Sequence, residues 1–448
     1  MTEGANGRRT GGGPNRMMLR RTLFLLSVCG IAAFIVLAAK LYDIQIVHHD
    51  EYEAAAIAQQ VRETTVSAAR GTLYDRNGRI LAISAGVDTI YISPAEIERG
   101  HEDAEAIAKG LSEILGVDYE TILKRAQNTK SWYEVVARKV EPEVSEKVRE
   151  FKAEGGYSGI KVEADTKRYY PNGSLASHVI GFVGLENKGL GGIEARYDSL
   201  LSGKNGYVMR STTAAGTDML YSSYEDYVDA EDGQSLSLTI DSTIQYYIEK
   251  HLAQAVADYD IQNGAAAICM EVDTGAILSM ASLGNFDLND YQTISAEAEA
   301  EIRAAAQSDE EYNELYSLAQ QLQWRNKAIS DTYEPGSTFK IITLAMALEE
   351  GVVSENSSFY CGGSMNVLGR GSPLKCWKYG GHGSQSLTQA VQHSCNVAFV
   401  NIGQLVGEEK FYEYAEGFGF IERTQDTSQQ LTAKTGIDLG GESGSIWW

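Results

Sequence analysis

The sequence YEPGSTFK (333–340) leads directly into the apolar run IITLAMAL (341–348). Proline and glycine end the preceding coil, which places Ser337 at the start of a helix, where unpaired backbone N–H groups favour a developing negative charge. Residues i and i+3 share a helix face, so Lys340 can reach the Ser337 hydroxyl. A partly buried amine has a depressed pKa and can act as the base that activates a serine nucleophile. S-x-x-K alone is a weak motif, and an ordinary surface helix is the alternative interpretation.

A second motif lies 57 residues after Ser337, where Ser394-Cys395-Asn396 separates a predicted helix over 387–392 from a further apolar helix. Ser394 can pass a proton between Lys340 and a leaving amine, and Asn396 can orient Lys340 and bind a substrate carbonyl. S-x-x-K together with S-x-N is the signature of penicillin-recognising serine acyl-transfer enzymes. The pair therefore predicts a serine acyl-transfer site.

The remaining sequence alternates predicted strands and helices, which indicates a mixed α+β fold. Asp241 is a good N-cap for a predicted helix that runs to about Tyr259. The other predicted elements are a hairpin over 70–84 with an Asn77-Gly78 turn, helices within 102–128, a strand over 236–240, a hairpin over 264–282 and an acidic helical region over 294–323.

The N-terminal sequence predicts a membrane anchor. Residues 1–21 contain five arginines and a single acid, Glu3, and the uncharged run Leu23–Ala39 follows them. With its flanks the segment 22–41 is about 20 residues long, enough to cross a bilayer, and the positive charge before it places the N-terminus in the cytoplasm. A signal peptide cleaved after Ala39 is the alternative, although the apolar run is longer than an ordinary signal-peptide core.

Composition excludes several function classes. The chain of 448 residues has a formal net charge of −23, which argues against nucleic acid as a partner. It has five cysteines and seven histidines without CxxC or HExxH spacing, so a zinc enzyme is not expected. Outside the cytoplasm, Cys361 and Cys376 could form a disulfide or remain two free thiols, and both alternatives stay open.

Several separated motifs, in order, make the sequence closely resemble a class B penicillin-binding protein, a membrane-anchored peptidoglycan transpeptidase of the division, elongation and sporulation group. The resemblance runs from the anchor to the last residue. The motifs are RGTLYDRNGRILA (70–82), RYYPNGSLASHVIGFVG (168–184), GGIEARYDSLLSGKNG (191–206), LTIDSTIQ (238–245), DTGAILSMAS (273–282), NFDLN (285–289), YEPGSTFK (333–340) and SCN (394–396).

The resemblance implies an α+β chain with an N-terminal transmembrane helix, a β-rich pedestal (dimerisation) domain and an α/β penicillin-binding transpeptidase domain. It also implies Ser337 as the acylated nucleophile, Lys340 as its base, and Ser394 and Asn396 as the second catalytic motif. The predicted organisation is a cytoplasmic tail (1–21), an anchor (22–41), the pedestal (42–230, beginning with a partly helical stalk over 42–66) and a partial transpeptidase domain (231–448).

The family's third motif, Lys-Thr-Gly or Lys-Ser-Gly on a strand, is spelled by Lys434-Thr435-Gly436. We interpret this match as coincidental, because it lies only 38 residues after Asn396 and continues as IDLGGE (437–442), which resembles a family segment that precedes the true motif. The true third motif is therefore expected beyond Trp448, and the transpeptidase domain is expected to be incomplete and inactive in this chain.

The resemblance implies a D,D-transpeptidase that crosslinks peptidoglycan stem peptides ending in D-Ala-D-Ala and is acylated by β-lactams. It implies no metal or organic cofactor, a location in the cell membrane with the bulk of the chain outside the cytoplasm, and a partner glycosyltransferase. Two alternatives are a β-lactamase or penicillin sensor, and a non-catalytic scaffold for division or sporulation.

Overall fold

The computed structural model describes residues 16–48, 61–211, 225–262, 264–421 and 434–444. In the described part, helix α1 (Arg16–Tyr42) continues into a π-helical turn at Asp43–Val47. The segment Arg20–Val47 is the one helix there that is long and apolar enough to cross a membrane. This agrees with the predicted anchor over 22–41. Residues 49–60 of the predicted stalk lie outside the described residues.

The described chain alternates strands and helices, as the sequence predicts. The strands are β1 Val61–Val66, β2 Leu73–Tyr74, β3 Ile80–Ile92, β4 Glu134–Val140, β5 Ile160–Tyr169, β6 Gly206–Ser211, β7 Glu225–Val228, β8 Leu236–Ser237, β9 Ala266–Met270, β10 Ile277–Ser282, β11 Ser358–Cys361, β12 Ser364–Met365, β13 Leu374–Lys375 and β14 Gly383–Ser386. The further α-helices are α2 Pro94–Arg99, α3 Ala104–Leu115, α4 Tyr119–Ala126, α5 Pro142–Gly155, α6 Ser177–Ile180, α7 Gly192–Arg196, α8 Asp198–Leu201, α9 Ser242–Asp258, α10 Ala296–Ala305, α11 Asp309–Trp324, α12 Lys327–Ser330, α13 Lys340–Glu349, α14 Leu387–Gln392, α15 Asn396–Val406 and α16 Glu408–Gly417.

The chain divides into two compact units. One contains residues 1–67 and 205–230, and in it β1, β6 and β7 form an antiparallel three-stranded sheet in the order β1-β6-β7. The other contains residues 68–204 and 231–448. The predicted boundary between residues 230 and 231 stays a prediction.

A five-stranded sheet organises the first part of the larger unit. Strand β3 pairs antiparallel with β2, β4 and β5, and β2 also pairs with β8 in parallel. The β2–β3 hairpin confirms the predicted turn, with Gly78 at a φ of +79° that suits glycine. The strand predicted over 236–240 is shorter than expected, because only Leu236–Ser237 pairs with β2.

Helices α3, α4 and α5 cover one region of this sheet. Asp103 and Asp118 cap the first two of these helices by accepting hydrogen bonds from backbone N–H groups. Apolar side chains from the helices and from β3, β4 and β5 form a buried core that includes Ile90, Ile107 and Ile122. The predicted helical region 102–128 is thus confirmed as α3 and α4.

A buried network of ion pairs lies where the segment GGIEARYDSLLSGKNG (191–206) meets the sheet. Arg70 Nε lies 2.6 Å from Glu194 Oε2, and Arg168 Nε lies 2.7 Å from Glu194 Oε1. Arg70 also lies 2.7 Å from Asp198. The side chain of Glu194 has no exposed surface, so its charge is compensated by the two arginines rather than by water.

A second core joins residues from either side of the predicted boundary, among them Leu73, Phe182, Met280 and Phe286. Helix α9 begins after Asp241, whose carboxylate accepts hydrogen bonds from two backbone N–H groups, as predicted. Strands β9 and β10 form the predicted antiparallel hairpin. Helices α10 and α11 contain no buried residue, which agrees with a solvated acidic region.

The part of the chain that carries the two sequence motifs forms its own helical core. Helices α13, α15 and α16 pack together, with Met346, Phe399 and Ile402 buried between them. Because Lys340 begins α13 and Asn396 begins α15, this packing brings the starts of both helices to one place.

Candidate active site

Ser337 lies in a 3₁₀ turn, Gly336–Phe339, directly before α13. Gly336 has a φ of +54°, a left-handed conformation that glycine adopts without steric cost. The turn replaces the first α-helical turn that the sequence predicts, and it leaves the Ser337 side chain exposed to solvent. An exposed hydroxyl at this position is accessible to a substrate.

The Lys340 amine is the centre of the site. Its Nζ lies 3.2 Å from Ser337 Oγ, 3.0 Å from Ser394 Oγ, 2.8 Å from the Ser394 carbonyl oxygen and 2.7 Å from Asn396 Oδ1. The structure therefore brings together all four residues that the sequence singles out, although 54 residues separate Lys340 from Ser394.

Ser394 is held in a strained backbone conformation. Its φ is +47°, in the left-handed region that residues other than glycine seldom adopt. The N–H of Ser394 donates to the Val391 carbonyl and the N–H of Cys395 to the Ala390 carbonyl, which is the Schellman arrangement at the end of α14. Such strain costs about 1–3 kcal/mol and concentrates at functional sites. In this conformation the carbonyl oxygen and the hydroxyl oxygen of Ser394 both face the Lys340 amine.

Asn396 is the first residue of α15, and both the oxygen and the nitrogen of its side-chain amide form hydrogen bonds. Its Oδ1 accepts from Lys340, and its Nδ2 donates to the carbonyl of Lys375 at 3.2 Å. The indole N–H of Trp377 donates to the carbonyl of His393 at 2.8 Å. Segment 375–377 thus supports the second motif, a role that the sequence does not reveal because nothing in its composition resembles a catalytic motif.

Burial lowers the pKa of the Lys340 amine below its ordinary value, and the neighbouring Cys376 and Cys395 thiols oppose this only in part. A lowered pKa increases the fraction of neutral amine at a given pH, and only the neutral amine can accept a proton. The electrostatics of the site therefore suit a lysine that acts as a base.

Three thiols and an imidazole lie together beside the second motif. The ligand atoms of Cys361, Cys376, His382 and Cys395 all lie within 4.8 Å of one another and could hold a metal ion. All three thiols are free, so the alternative of a Cys361–Cys376 disulfide is not present. Burial raises the pKa of the Cys395 thiol. Burial also acts to raise the pKa of Cys376, but backbone N–H groups of Lys378 and Asn396 outweigh it and lower that pKa.

The sequence does not predict this cluster, because its members follow no familiar metal-binding spacing. The one available signal is that three of the five cysteines fall within residues 361–395, with His382 among them.

The Lys434-Thr435-Gly436 segment lies in no strand of the described structure. The Thr435 N–H and hydroxyl both donate to the Glu442 carboxylate, at 2.6 Å each. The interpretation of this segment as a coincidental match stays a prediction.

Comparison with known families gives two matches in chain order. Residues 65–238 match the penicillin-binding protein dimerisation domain, and residues 265–446 match the penicillin-binding protein transpeptidase domain.

Two known proteins are similar to the chain over much of its length. The chain is 35% identical to stage V sporulation protein D of Bacillus subtilis over 96% of its own length and 60% of that protein. It is 28% identical to the peptidoglycan D,D-transpeptidase FtsI of Escherichia coli K12 over 74% of its length and 51% of that protein. The chain thus spans about 60% of the length of the first of these relatives.

Solved structures share the fold. A peptidoglycan synthetase from Bifidobacterium adolescentis matches with a TM-score of 0.55 and 25% identity, over 86% of this chain and 66% of that one. Penicillin-binding protein 2 of Helicobacter pylori, solved in complex with MreC, matches with a TM-score of 0.61 and 24% identity, over 85% of this chain and 67% of that one.

Proposed function

The chain belongs to the penicillin-binding proteins, and on that premise we propose that it is a serine-type D,D-transpeptidase that crosslinks peptidoglycan stem peptides. The observation that carries the proposal is the position of the Lys340 amine, within hydrogen-bond distance of both the Ser337 and the Ser394 hydroxyls.

The acceptors around Lys340 support its role as the base. The Ser394 carbonyl and Asn396 Oδ1 can only accept hydrogen bonds, and they lie closest to Nζ, at 2.8 and 2.7 Å. A neutral amine has two N–H donors, which these two oxygens occupy. Its lone pair is then left for a hydroxyl proton, and the Ser337 hydroxyl at 3.2 Å can donate to it.

In the first step Lys340 takes the proton of Ser337 while Oγ attacks the carbonyl carbon between the two terminal D-alanines. A tetrahedral intermediate forms, the C–N bond breaks, and the departing D-alanine amine takes a proton that Ser394 relays from Lys340. In the second step the amine of a neighbouring stem peptide attacks the ester and frees Ser337. A β-lactam undergoes the first step and stays attached, because its ring-opened leaving group does not depart.

The experiment is an exchange reaction with the complete gene product that carries this sequence. A synthetic stem pentapeptide ending in D-Ala-D-Ala is supplied with a fluorescent D-amino acid as acceptor. Formation of the exchanged peptide is expected with wild type and with Ser357→Ala, a serine in the loop before β11. The product is expected to be lost with Ser337→Ala. Exchange that persists in Ser337→Ala overturns the proposal. Absence of exchange in wild type, together with fast hydrolysis of the acyl-enzyme formed with penicillin, identifies a β-lactamase instead.

The predicted anchor and the net charge support the proposed partners and the proposed location in the membrane. Peptidoglycan stem peptides, β-lactams and a glycosyltransferase of the same machinery are the proposed partners, and the net charge of −23 argues against nucleic acid. The five arginines within residues 1–21, before the apolar run, favour a cytoplasmic N-terminus with the bulk of the chain outside. A reporter enzyme that needs an oxidising compartment should work when fused after Asp50 and fail when fused before Arg20. Equal activity of both fusions would contradict this topology.

A further inference from the structure

From the cluster beside the second motif we infer a structural zinc site, with Cys361, Cys376, His382 and Cys395 as its four ligands. In a tetrahedral zinc site with Zn–S of about 2.3 Å and Zn–N of about 2.0–2.1 Å, neighbouring sulfurs lie about 3.8 Å apart, and sulfur and nitrogen about 3.5 Å apart. The structure has Cys376 Sγ 4.0 Å from Cys395 Sγ and 3.6 Å from His382 Nδ1. These two distances lie within about 0.2 Å of those expected around zinc, and all four ligand atoms lie within 4.8 Å of one another.

The chemistry of the four ligands selects the ion. Three thiolates and one imidazole form a soft, closed set of four, which suits tetrahedral Zn²⁺ and leaves no position for substrate. All three thiols are buried, with exposed fractions of 0%, 7% and 0% for Cys361, Cys376 and Cys395. The inferred ion therefore supports the structure and takes no part in the acyl transfer.

His382 is incompletely bonded without a metal. Its Nδ1 faces the Cys376 sulfur, and its buried Nε2 has no hydrogen-bond partner within the described chain. The ring is nevertheless held in place by stacking on His393, with ring centroids 4.8 Å apart and planes within 6°. The ring is thus oriented with Nδ1 toward the thiols, and a metal ion at Nδ1 would displace only the weak contact with the Cys376 sulfur.

The ligands come from separate segments of the chain. Cys361 ends β11, Cys376 follows the two-residue strand β13, and His382 lies just before β14. The segment between Cys361 and His382 contains Leu368 and Tyr379, both fully exposed. A metal ion that joins these segments would stabilise the fold, because binding free energy then adds to folding free energy.

The position of Cys395 connects the inferred ion to the active site. Cys395 is the middle residue of the second motif, and its Sγ also accepts from the Ala398 N–H at the start of α15. A metal bond to this sulfur would fix the residue between Ser394 and Asn396, while the Asn396 amide and the Trp377 indole connect the same two segments at either side.

The test measures metal and does not depend on acylation. The full chain, purified in detergent under reducing conditions, is analysed for zinc by mass spectrometry and then reloaded with Co²⁺. We expect one zinc per chain, a thiolate-to-cobalt charge-transfer band, and the intense visible bands of tetrahedral Co²⁺. Cys376→Ser should lose the zinc and most of the charge-transfer band. Cys269→Ser, which removes a thiol from β9 outside the cluster, should keep both.

The wild-type chain provides a second readout, which does not depend on whether a variant folds. Removal of zinc by a chelator should lower the melting temperature of the wild-type chain, and added zinc should restore it. A reduced wild-type chain without zinc and without a cobalt–thiolate band overturns the inference. Equal loss of metal in Cys269→Ser and Cys376→Ser also overturns it. So does a Cys376–Cys395 disulfide in protein isolated with its thiols blocked.

Discussion

Replacement of Asn396 with aspartate is expected to disable the Lys340 amine as a base. Asn396 Oδ1 lies 2.7 Å from Lys340 Nζ, and aspartate has nearly the shape of asparagine. The substitution therefore keeps an oxygen at this position and adds a negative charge. An adjacent carboxylate favours the charged ammonium and raises the pKa of the lysine. The protonated amine has no lone pair with which to accept the Ser337 proton.

The distance sets the size of the effect. Two unit charges 2.7 Å apart attract by about 6 kcal/mol at an effective dielectric constant of about 20. Lys340 is half-buried, so solvent screening reduces this to about 2–4 kcal/mol. Since about 1.4 kcal/mol corresponds to a factor of ten in protonation, the neutral fraction of the amine and the acylation rate should fall about 30- to 1000-fold below the pKa of the amine.

The assay is the rate of acylation by a fluorescent penicillin, measured as a function of pH with the complete gene product. Acylation of wild type should increase with pH as Lys340 loses its proton, and in Asn396→Asp this rise should move to higher pH. Asn356→Asp, which adds the same charge at an exposed position before β11, should leave the profile unchanged. Asn396→Ala removes the oxygen without adding charge, so it should slow acylation without the same displacement to higher pH.

A profile in Asn396→Asp with the same midpoint as wild type would refute the assignment of Lys340 as the base. The same conclusion follows if Asn356→Asp displaces the profile as far as Asn396→Asp does, because the effect would then reflect overall charge rather than the contact with Lys340.

Three further predictions concern stability and the third motif. Glu194→Gln should lower the free energy of unfolding by about 3–5 kcal/mol, because it leaves two buried arginines without their shared counter-ion; a change under about 1 kcal/mol in denaturant unfolding would contradict this. Burial raises the pKa of Asp75, but hydrogen bonds from Ser242 and from backbone N–H groups lower it overall. Asp75→Asn should therefore be destabilising at neutral pH, with the difference from wild type shrinking as the pH falls through the lowered pKa of the carboxyl; a difference that stays constant down to that pH would be inconsistent with the charged carboxylate. Lys434→Ala should leave penicillin acylation nearly unchanged, and loss of acylation with an intact fold would instead place Lys434 in the active site.

Local signals predicted the elements well where the chemistry of single residues determines the backbone. Asp241 caps α9 as its sequence position indicates, and the Asn77-Gly78 turn forms the β2–β3 hairpin. The contact of Ser337 with Lys340 follows from helical spacing, because both residues lie in consecutive turns of one segment. The contact of Lys340 with Ser394 is predicted only by the pairing of the S-x-x-K and S-x-N motifs, since no local rule connects residues 54 positions apart.

The sequence was less informative where tertiary contacts determine the outcome. The alternation over 236–240 predicts a five-residue strand, yet β2 offers only two residues for it to pair with. The left-handed backbone of Ser394 belongs to the Schellman arrangement that ends α14, a position that glycine usually occupies, so serine gives no sign of it. The thiol and imidazole cluster was missed for the same reason, because its ligands come from separate segments that only the fold brings together.

The identity of the residue that penicillin acylates tests the proposed role of Ser337 most directly. The complete gene product is labelled with penicillin, digested, and analysed by mass spectrometry, with Ser337→Ala treated in parallel. One penicilloyl adduct is expected, on the peptide that carries Ser337, and none in Ser337→Ala. An adduct on Ser394 or on a cysteine, or labelling that persists in Ser337→Ala, would contradict the proposed role of Ser337.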